Sequence, residues 1–154
     1  MRRFEHLKGS EAALSALEEL VRAGRRSVAV YRAAERRIDD HRVRAALVQL
    51  RRDHRRHVQE LSSILAEIGR PVVAWHGAST TGPLFDALRE ARSTPEAIVE
   101  ALKRAESELH AVYARHVERN FVEPLRAALV RHLREEEAHL AWLDGSRWWQ
   151  RTVA

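Results

Sequence analysis

The chain has 154 residues, 45% of them hydrophobic, and carries 27 Lys and Arg against 22 Asp and Glu. A chain of this length is expected to form one domain, residues 1–154, with a single large core. Its lack of cysteine excludes disulfides, thiolate-bound metals and iron–sulfur clusters. No apolar run approaches the roughly 18 residues that span a bilayer, and no signal-peptide pattern follows the basic amino end. We therefore expect a soluble cytoplasmic protein that does not enter a membrane.

Two long helices are predicted in the first half of the chain. The first begins at Ser10, a favourable N-cap, and has a heptad stripe. That stripe is Leu14, Leu17, Val21, Gly24, Val28, Tyr31, Glu35 and Ile38. The second helix has the stripe Val43, Leu47, Leu50, His54, His57, Leu61, Ile64 and Ile68. Because the connection at residues 39–41 is very short, the two helices should form an antiparallel hairpin.

A long irregular connection is predicted at residues 69–83, which are rich in glycine, proline and small polar residues. A short helix, residues 84–92, is expected within this crossover. The third long helix begins at Ser93 or Thr94, and the fourth runs from about Pro124 to Gly145. Two antiparallel hairpins joined by one long crossover are the ferritin-like form of the four-helix bundle, so the predicted fold class is all-α.

Seven polar residues occupy seam positions at which the heptad pattern favours apolar side chains. They are Glu35, His54, His57, Glu106, His116, Glu136 and His139. A buried carboxylate is unfavourable unless it meets a cation, a hydrogen-bond donor or a metal. Counting from the turn of each hairpin places five of them near mid-bundle, namely His54, His57, Glu106, Glu136 and His139. Gly24, opposite the two first-hairpin histidines, is expected to leave room for their rings.

Part of this cluster resembles the dinuclear iron site of ferritin-like proteins, in which a Glu on one helix and Glu-x-x-His on the next occur twice. Glu106 and the run Glu136-Glu137-Ala138-His139 resemble one half of that pattern. The phrases "AESELHAVYARHVERN" and "LREEEAHLAWL" resemble the third and fourth helices of rubrerythrin-type proteins. From about Ala12 to Leu143 the chain also resembles a bacterial ferritin-like family of unknown function. The resemblance implies iron as the cofactor, with manganese or zinc as alternatives.

The first half of the chain departs from this pattern. His54-Arg55-Arg56-His57 stands where Glu-x-x-His is expected, and "RAGRRS", residues 22–27, offers no carboxylate from the first helix. Two carboxylates and three histidines still suit a first-row metal, because imidazole and carboxylate bind iron, manganese and zinc. The candidate metal ligands are His54, His57, Glu106, Glu136 and His139. Asp53 is expected to orient the ring of His57.

An alternative for the same residues is a pair of core imidazoles that donate hydrogen bonds to Glu106 and Glu136. Two functions follow. One is a metal-binding ferritin-like protein in iron or oxidative-stress chemistry, and the other is a non-catalytic interaction or stress protein with a degenerate site and no cofactor. In the second alternative, the non-catalytic protein would act through a helix face or the Trp148-Trp149 tail. These residues are compatible with an enzyme and with a non-enzyme, and no catalytic residue is assigned. A homo-oligomer is also compatible with the sequence.

Association with nucleic acid is a third interpretation, because residues 1–70 hold 16 of the 27 basic residues. The arginines of the second helix are expected on the face opposite His54, where they form an ordinary solvated surface. They are Arg44, Arg51, Arg52, Arg55 and Arg56. No aromatic residue lies among them to stack on bases, so the sequence argues against nucleic acid as a partner.

Overall fold

The computed structural model describes residues 4, 7, 10–70, 82–90, 94–119, 121 and 123–145. The regular structure in these ranges is helical, as the sequence predicts. The helices are α1 (Glu11–Glu35), α2 (His41–Glu67), α3 (Pro83–Glu90), α4 (Pro95–Val117) and α5 (Leu125–Gly145). Most of the predicted crossover, residues 71–81, and the tail that contains Trp148-Trp149 lie outside the described residues. None of the described helices has the length and apolar character needed to cross a membrane.

The helices begin where local sequence signals predict. The Ser10 hydroxyl accepts a hydrogen bond from a backbone N–H in the first turn of α1, and Asp40 and Thr94 do the same for α2 and α4. These side chains replace the carbonyl partners that first-turn N–H groups lack. The short helix predicted at 84–92 spans Pro83–Glu90.

Side-chain contacts fix the order and direction of the four long helices. The contacts are Glu11–Arg70 and Glu35–Arg51 (α1 with α2), Glu19–His116 and Tyr31–Glu106 (α1 with α4), Asp53–His139 and Glu60–His132 (α2 with α5), and Lys103–Asp144 and Tyr113–His132 (α4 with α5). Within each pair of helices the residue numbers run in opposite senses. Each neighbouring pair is therefore antiparallel, and the helices form a ring in the order α1, α2, α5, α4. This is an antiparallel four-helix bundle.

Apolar side chains form two cores, one toward each end of the bundle. The first core contains Leu17, Leu61, Leu65 and Leu129, and the second contains Leu47, Ile98, Leu102 and Leu143. Burying one such side chain stabilises the fold by about 1.5–3 kcal/mol. The two cores together can offset the cost of a layer of polar side chains between them.

Gly24 permits a close approach of α1 and α2. A Cβ atom on Gly24 would lie 2.7 Å from Cγ2 of Val58, well inside normal carbon–carbon contact. The expectation that Gly24 makes room for the rings of His54 and His57 is therefore wrong. Those two rings contact carboxylates of α4 and α5 instead.

Candidate metal centre

Four buried polar side chains meet between the two apolar cores. His54 comes from α2, Glu106 from α4, and Glu136 and His139 from α5. One ligand atom of each residue lies within 4.8 Å of those of the other three. The exposed fraction is 0% for His54, Glu106 and Glu136 and 5% for His139. These four residues, the central cluster, could hold a metal ion, because two carboxylates and two imidazoles are suitable ligands.

Four of the five predicted ligands thus come together, and the fifth, His57, lies beside them. His57 Nδ1 is 3.1 Å from Glu136 Oε1, and His57 Nε2 is 2.6 Å from Glu135 Oε2. Both ring nitrogens therefore face carboxylates. In this arrangement His57 holds Glu136 in place. Neither of its ring nitrogens faces His54, Glu106 or His139.

His54 lies between two carboxylates inside the central cluster. Its Nε2 is 2.7 Å from Glu106 Oε1, and its Nδ1 is 3.3 Å from Glu136 Oε1. Burial by itself lowers the pKa of His54, but the negative charges of Glu136 and Glu106 outweigh burial and raise this pKa to about 10. Burial likewise works to raise the pKa of Glu106, yet the charge of His54 holds it well below its usual value.

Four ligand atoms of the central cluster are buried without a hydrogen-bond partner. They are Nδ1 of His54, Nδ1 of His139, Oε2 of Glu106 and Oε2 of Glu136. Each such atom costs about 1–3 kcal/mol, so their concentration at one place is unfavourable unless a ligand binds them. His139 Nδ1 lies 3.8 Å from Glu136 Oε2. Two ligands that share a metal at about 2.1 Å lie roughly 3–4 Å apart, so this spacing fits a shared ion.

Tyr31 supplies a group from α1 that the sequence did not predict for this site. Its hydroxyl donates a hydrogen bond to Oε1 of Glu106, and its ring centroid lies 5.1 Å from that of His54. Burial and the charge of Glu106 raise the pKa of Tyr31 well above its usual value, so the hydroxyl keeps its proton. The available signal was the hydroxyl itself, because a tyrosine in a heptad seam needs a buried hydrogen-bond partner.

Histidine–carboxylate pairs connect α2 to α5 along their length. These pairs, the α2–α5 ladder, are Asp53–His139 at 3.4 Å, His54–Glu136 at 3.3 Å, His57–Glu135 at 2.6 Å and Glu60–His132 at 2.8 Å. The expectation that Asp53 orients His57 is wrong, because Asp53 faces His139 across the two helices. The signal in the sequence was the order of residue types: Asp53, His54, His57 and Glu60 each have a partner of the opposite type in His139, Glu136, Glu135 and His132, taken in the opposite chain direction.

His132 closes one end of the α2–α5 ladder. Its Nε2–H donates to Glu60, its Nδ1 accepts from the hydroxyl of Tyr113 at 3.2 Å, and its ring stacks on His57 with centroids 4.0 Å apart. Burial and the charge of His57 lower the pKa of His132 to about 4. His132 is therefore neutral at neutral pH, and each of its nitrogens has a partner.

Glu35 has an arginine partner, one of the two partners that its seam position suggests, since its Oε1 lies 2.6 Å from Nε of Arg51. Tyr31, the other, bonds Glu106 instead. The contact with Arg51 places Glu35 outside the central cluster. His116 contacts Glu19 at 2.7 Å and also belongs to a different part of the bundle.

Fold and cluster together define a class of protein: an all-α bundle with a buried His/Glu cluster that could hold a metal ion. The chain belongs to the family described as "Domain of unknown function (DUF2383)", whose model matches residues 12–119. The matched region includes His54, His57 and Glu106 and ends before α5, which supplies Glu136 and His139. No curated protein and no solved structure matches the chain.

Proposed function

We propose that the central cluster binds a transition metal ion and that the protein acts in iron or oxidative-stress chemistry, as its ferritin-like resemblance implies. The observation that carries the proposal is the set of four buried, unpartnered ligand atoms from three helices. Two carboxylates and two imidazoles would offset the charge of a divalent ion, provided that His54 loses the proton that it carries in the metal-free cluster. Iron is the first candidate, with manganese and zinc as alternatives, because all three accept these ligands.

The surrounding residues support such a site from outside. His54 and His139 would bind through Nδ1, and Glu106 and Glu136 through Oε2. Tyr31 holds the other oxygen of Glu106, and Asp53 faces the other nitrogen of His139. Partners of this kind orient ligands and strengthen metal binding. A bound metal would supply Lewis acidity or one-electron redox chemistry.

The proposal is tested by elemental analysis of the purified protein and by anaerobic Fe(II) titration. Wild type should bind metal stoichiometrically, and Glu136→Gln should lose binding because it removes a ligand and one negative charge. Glu137→Gln is the matched control, since Glu137 is the next residue of α5 and is exposed. Glu137→Gln should bind metal with the same stoichiometry as wild type. An absence of stoichiometric metal in wild type, across Fe(II), Mn(II) and Zn(II), contradicts the proposal.

A non-catalytic bundle with a degenerate site is the second candidate, and the contacts of His54 with both Glu106 and Glu136 are the observation that favours it. With a pKa of about 10, His54 neutralises part of the carboxylate charge with no ion present. A metal that binds only the folded protein raises the thermal unfolding midpoint. For a degenerate site, Fe(II), Mn(II) and Zn(II) should each leave that midpoint unchanged.

A further inference from the structure

A groove between α1 and α2 lies apart from the central cluster. Its volume is about 640 Å³, which is within the size range of small-molecule sites. Two buried valines, Val28 and Val58, form its apolar floor. Gln59, Ser62 and Ser63 add neutral polar groups to its wall. The groove therefore offers both apolar contact and hydrogen-bonding groups.

Four arginines line the same groove, Arg25 and Arg32 from α1 and Arg51 and Arg55 from α2, and no acidic residue of the described ranges lines it. Glu35 pairs with Arg51 at 2.6 Å. Arg32 and Arg55 have no carboxylate partner within the described part of the chain. The sequence predicts Arg51 and Arg55 as part of a solvated face, whereas the structure brings them together with two arginines of another helix. Like charges that line one groove repel one another, so a bound anion would relieve the repulsion.

The groove has a charged end and a neutral end. Because α1 and α2 are antiparallel, with Glu35 against Arg51 and Gly24 against Val58, Arg32 lies near the level of Arg55. Ala66 lines the other end, roughly 16 Å further along the axis of α2 at about 1.5 Å per residue. By the same pairing Arg25 lies near the level of Val58, so the valine floor adjoins the arginines and the neutral groups extend from there to Ala66. The lining contains no aromatic side chain among the described residues.

We propose that this groove binds an anionic amphiphile, a small molecule with a carboxylate or phosphate head and an aliphatic body. The head lies beside Arg32 and Arg55, whose guanidinium groups form charge-assisted hydrogen bonds to either kind of anion. The body lies over Val28 and Val58 and along the aliphatic stems of the arginines. An aliphatic body fits better than a nucleobase, because the part of the groove wall that the structure describes has no aromatic ring to stack on a base. The site is independent of metal binding in the central cluster.

Isothermal titration calorimetry of the full chain tests the proposal with four probes below their micelle concentrations. Decanoate and decyl phosphate carry both parts of the ligand, inorganic phosphate carries the head alone, and decyltrimethylammonium carries the chain with the opposite charge. At least one of the two anionic amphiphiles should bind stoichiometrically, and the tighter of them identifies the head group. Inorganic phosphate and the cation should bind far more weakly.

The double variant Arg32→Gln/Arg55→Gln should weaken this binding about tenfold or more, because it removes two charged hydrogen-bond donors. The control Arg36→Gln/Arg52→Gln removes the same charge from exposed residues that do not line the groove, and it should bind as wild type does. Circular dichroism and thermal melts establish that both variants fold. Equal weakening in both variants, no weakening in either, or inorganic phosphate binding as tightly as decyl phosphate overturns the proposal. Binding of a DNA duplex through these arginines without binding of either amphiphile also overturns it.

Discussion

The two carboxylate oxygens of Glu106 have different surroundings. Oε1 accepts hydrogen bonds from the hydroxyl of Tyr31 and from Nε2 of His54, whereas Oε2 is buried without a partner. Donors on one oxygen fix the rotation of the whole carboxylate group. Tyr31 therefore positions Oε2 of Glu106 for a ligand, although Tyr31 contributes no ligand atom in the proposed site.

Tyr31→Phe should both destabilise the metal-free protein and weaken metal binding. Loss of the buried hydroxyl leaves Glu106 with one donor fewer, which should lower the free energy of unfolding by about 1–2 kcal/mol. Fe(II) affinity should fall about tenfold, the lower end of the effect seen when a residue that orients a metal ligand is removed. Urea denaturation of the metal-free protein and anaerobic Fe(II) titration measure the two effects.

Tyr113→Phe is the matched control for that prediction. Its hydroxyl is also buried and donates to His132, outside the central cluster. It should lower stability by a similar amount and leave Fe(II) affinity unchanged. If Tyr31→Phe binds Fe(II) as tightly as Tyr113→Phe does, the hydroxyl of Tyr31 does not position a ligand.

At the scale of single helices, Gly24 lies within α1, where alanine would stabilise the helix by about 1 kcal/mol relative to glycine. Gly24→Ala should nevertheless lower the free energy of unfolding by about 1–3 kcal/mol, because the new methyl overlaps the side chain of Val58. Val58 has little freedom to move away, since it is buried and a β-branched side chain has one preferred rotamer in a helix. Urea denaturation measures the change.

The reason for this effect is tested by the double variant Gly24→Ala/Val58→Ala. Removing the valine methyls should relieve the overlap, so the double variant should be more stable than the sum of the two single changes indicates. A thermodynamic cycle of the four proteins gives this coupling. Additive changes in the free energy of unfolding would mean that the added methyl at position 24 and the side chain of Val58 do not overlap.

The helices and the two hairpins could be predicted because their signals are local. Ser10, Asp40 and Thr94 cap helices through their own side chains, and the heptad stripes define the buried faces. Within a hairpin, a short turn sets the register, which is why Glu106 and Glu136 could be placed at one level. No turn sets the register between the two hairpins. The contacts of Tyr31 with Glu106 and of Asp53 with His139 cross that boundary, and no turn or other local signal indicates their register.

At the scale of the whole bundle, the two apolar cores are joined through a polar layer that includes the α2–α5 ladder. The ladder is built from histidine–carboxylate pairs, so the attraction between α2 and α5 depends on protonation. His132, at its end, touches none of the four central-cluster residues. Its titration can therefore be followed separately from that of the proposed metal ligands.

Acid should destabilise the metal-free protein in part through His132. Folding lowers the pKa of His132 from 6.5 to about 4, so the folded state favours the neutral ring. This stabilisation is fully present above pH 6.5 and is lost as the pH falls from 6.5 toward 4. Between about pH 7.5 and pH 5 the loss should be on the order of 2 kcal/mol. Glu60 also has a lowered pKa, but its contribution falls only as the pH passes below its usual value of 4.5.

His132→Gln separates this effect from the titration of the other histidines. Glutamine can donate to Glu60 and accept from Tyr113, yet it has no proton to gain in this range. Urea denaturation of both metal-free proteins at several values between pH 7.5 and pH 5 should show the wild type losing about 2 kcal/mol more stability than the variant. Histidines that do not contact position 132 have the same surroundings in both proteins, so the difference reports His132 together with its contact to His57. Parallel pH profiles would show that His132 takes up its proton in the folded bundle as readily as in the unfolded chain.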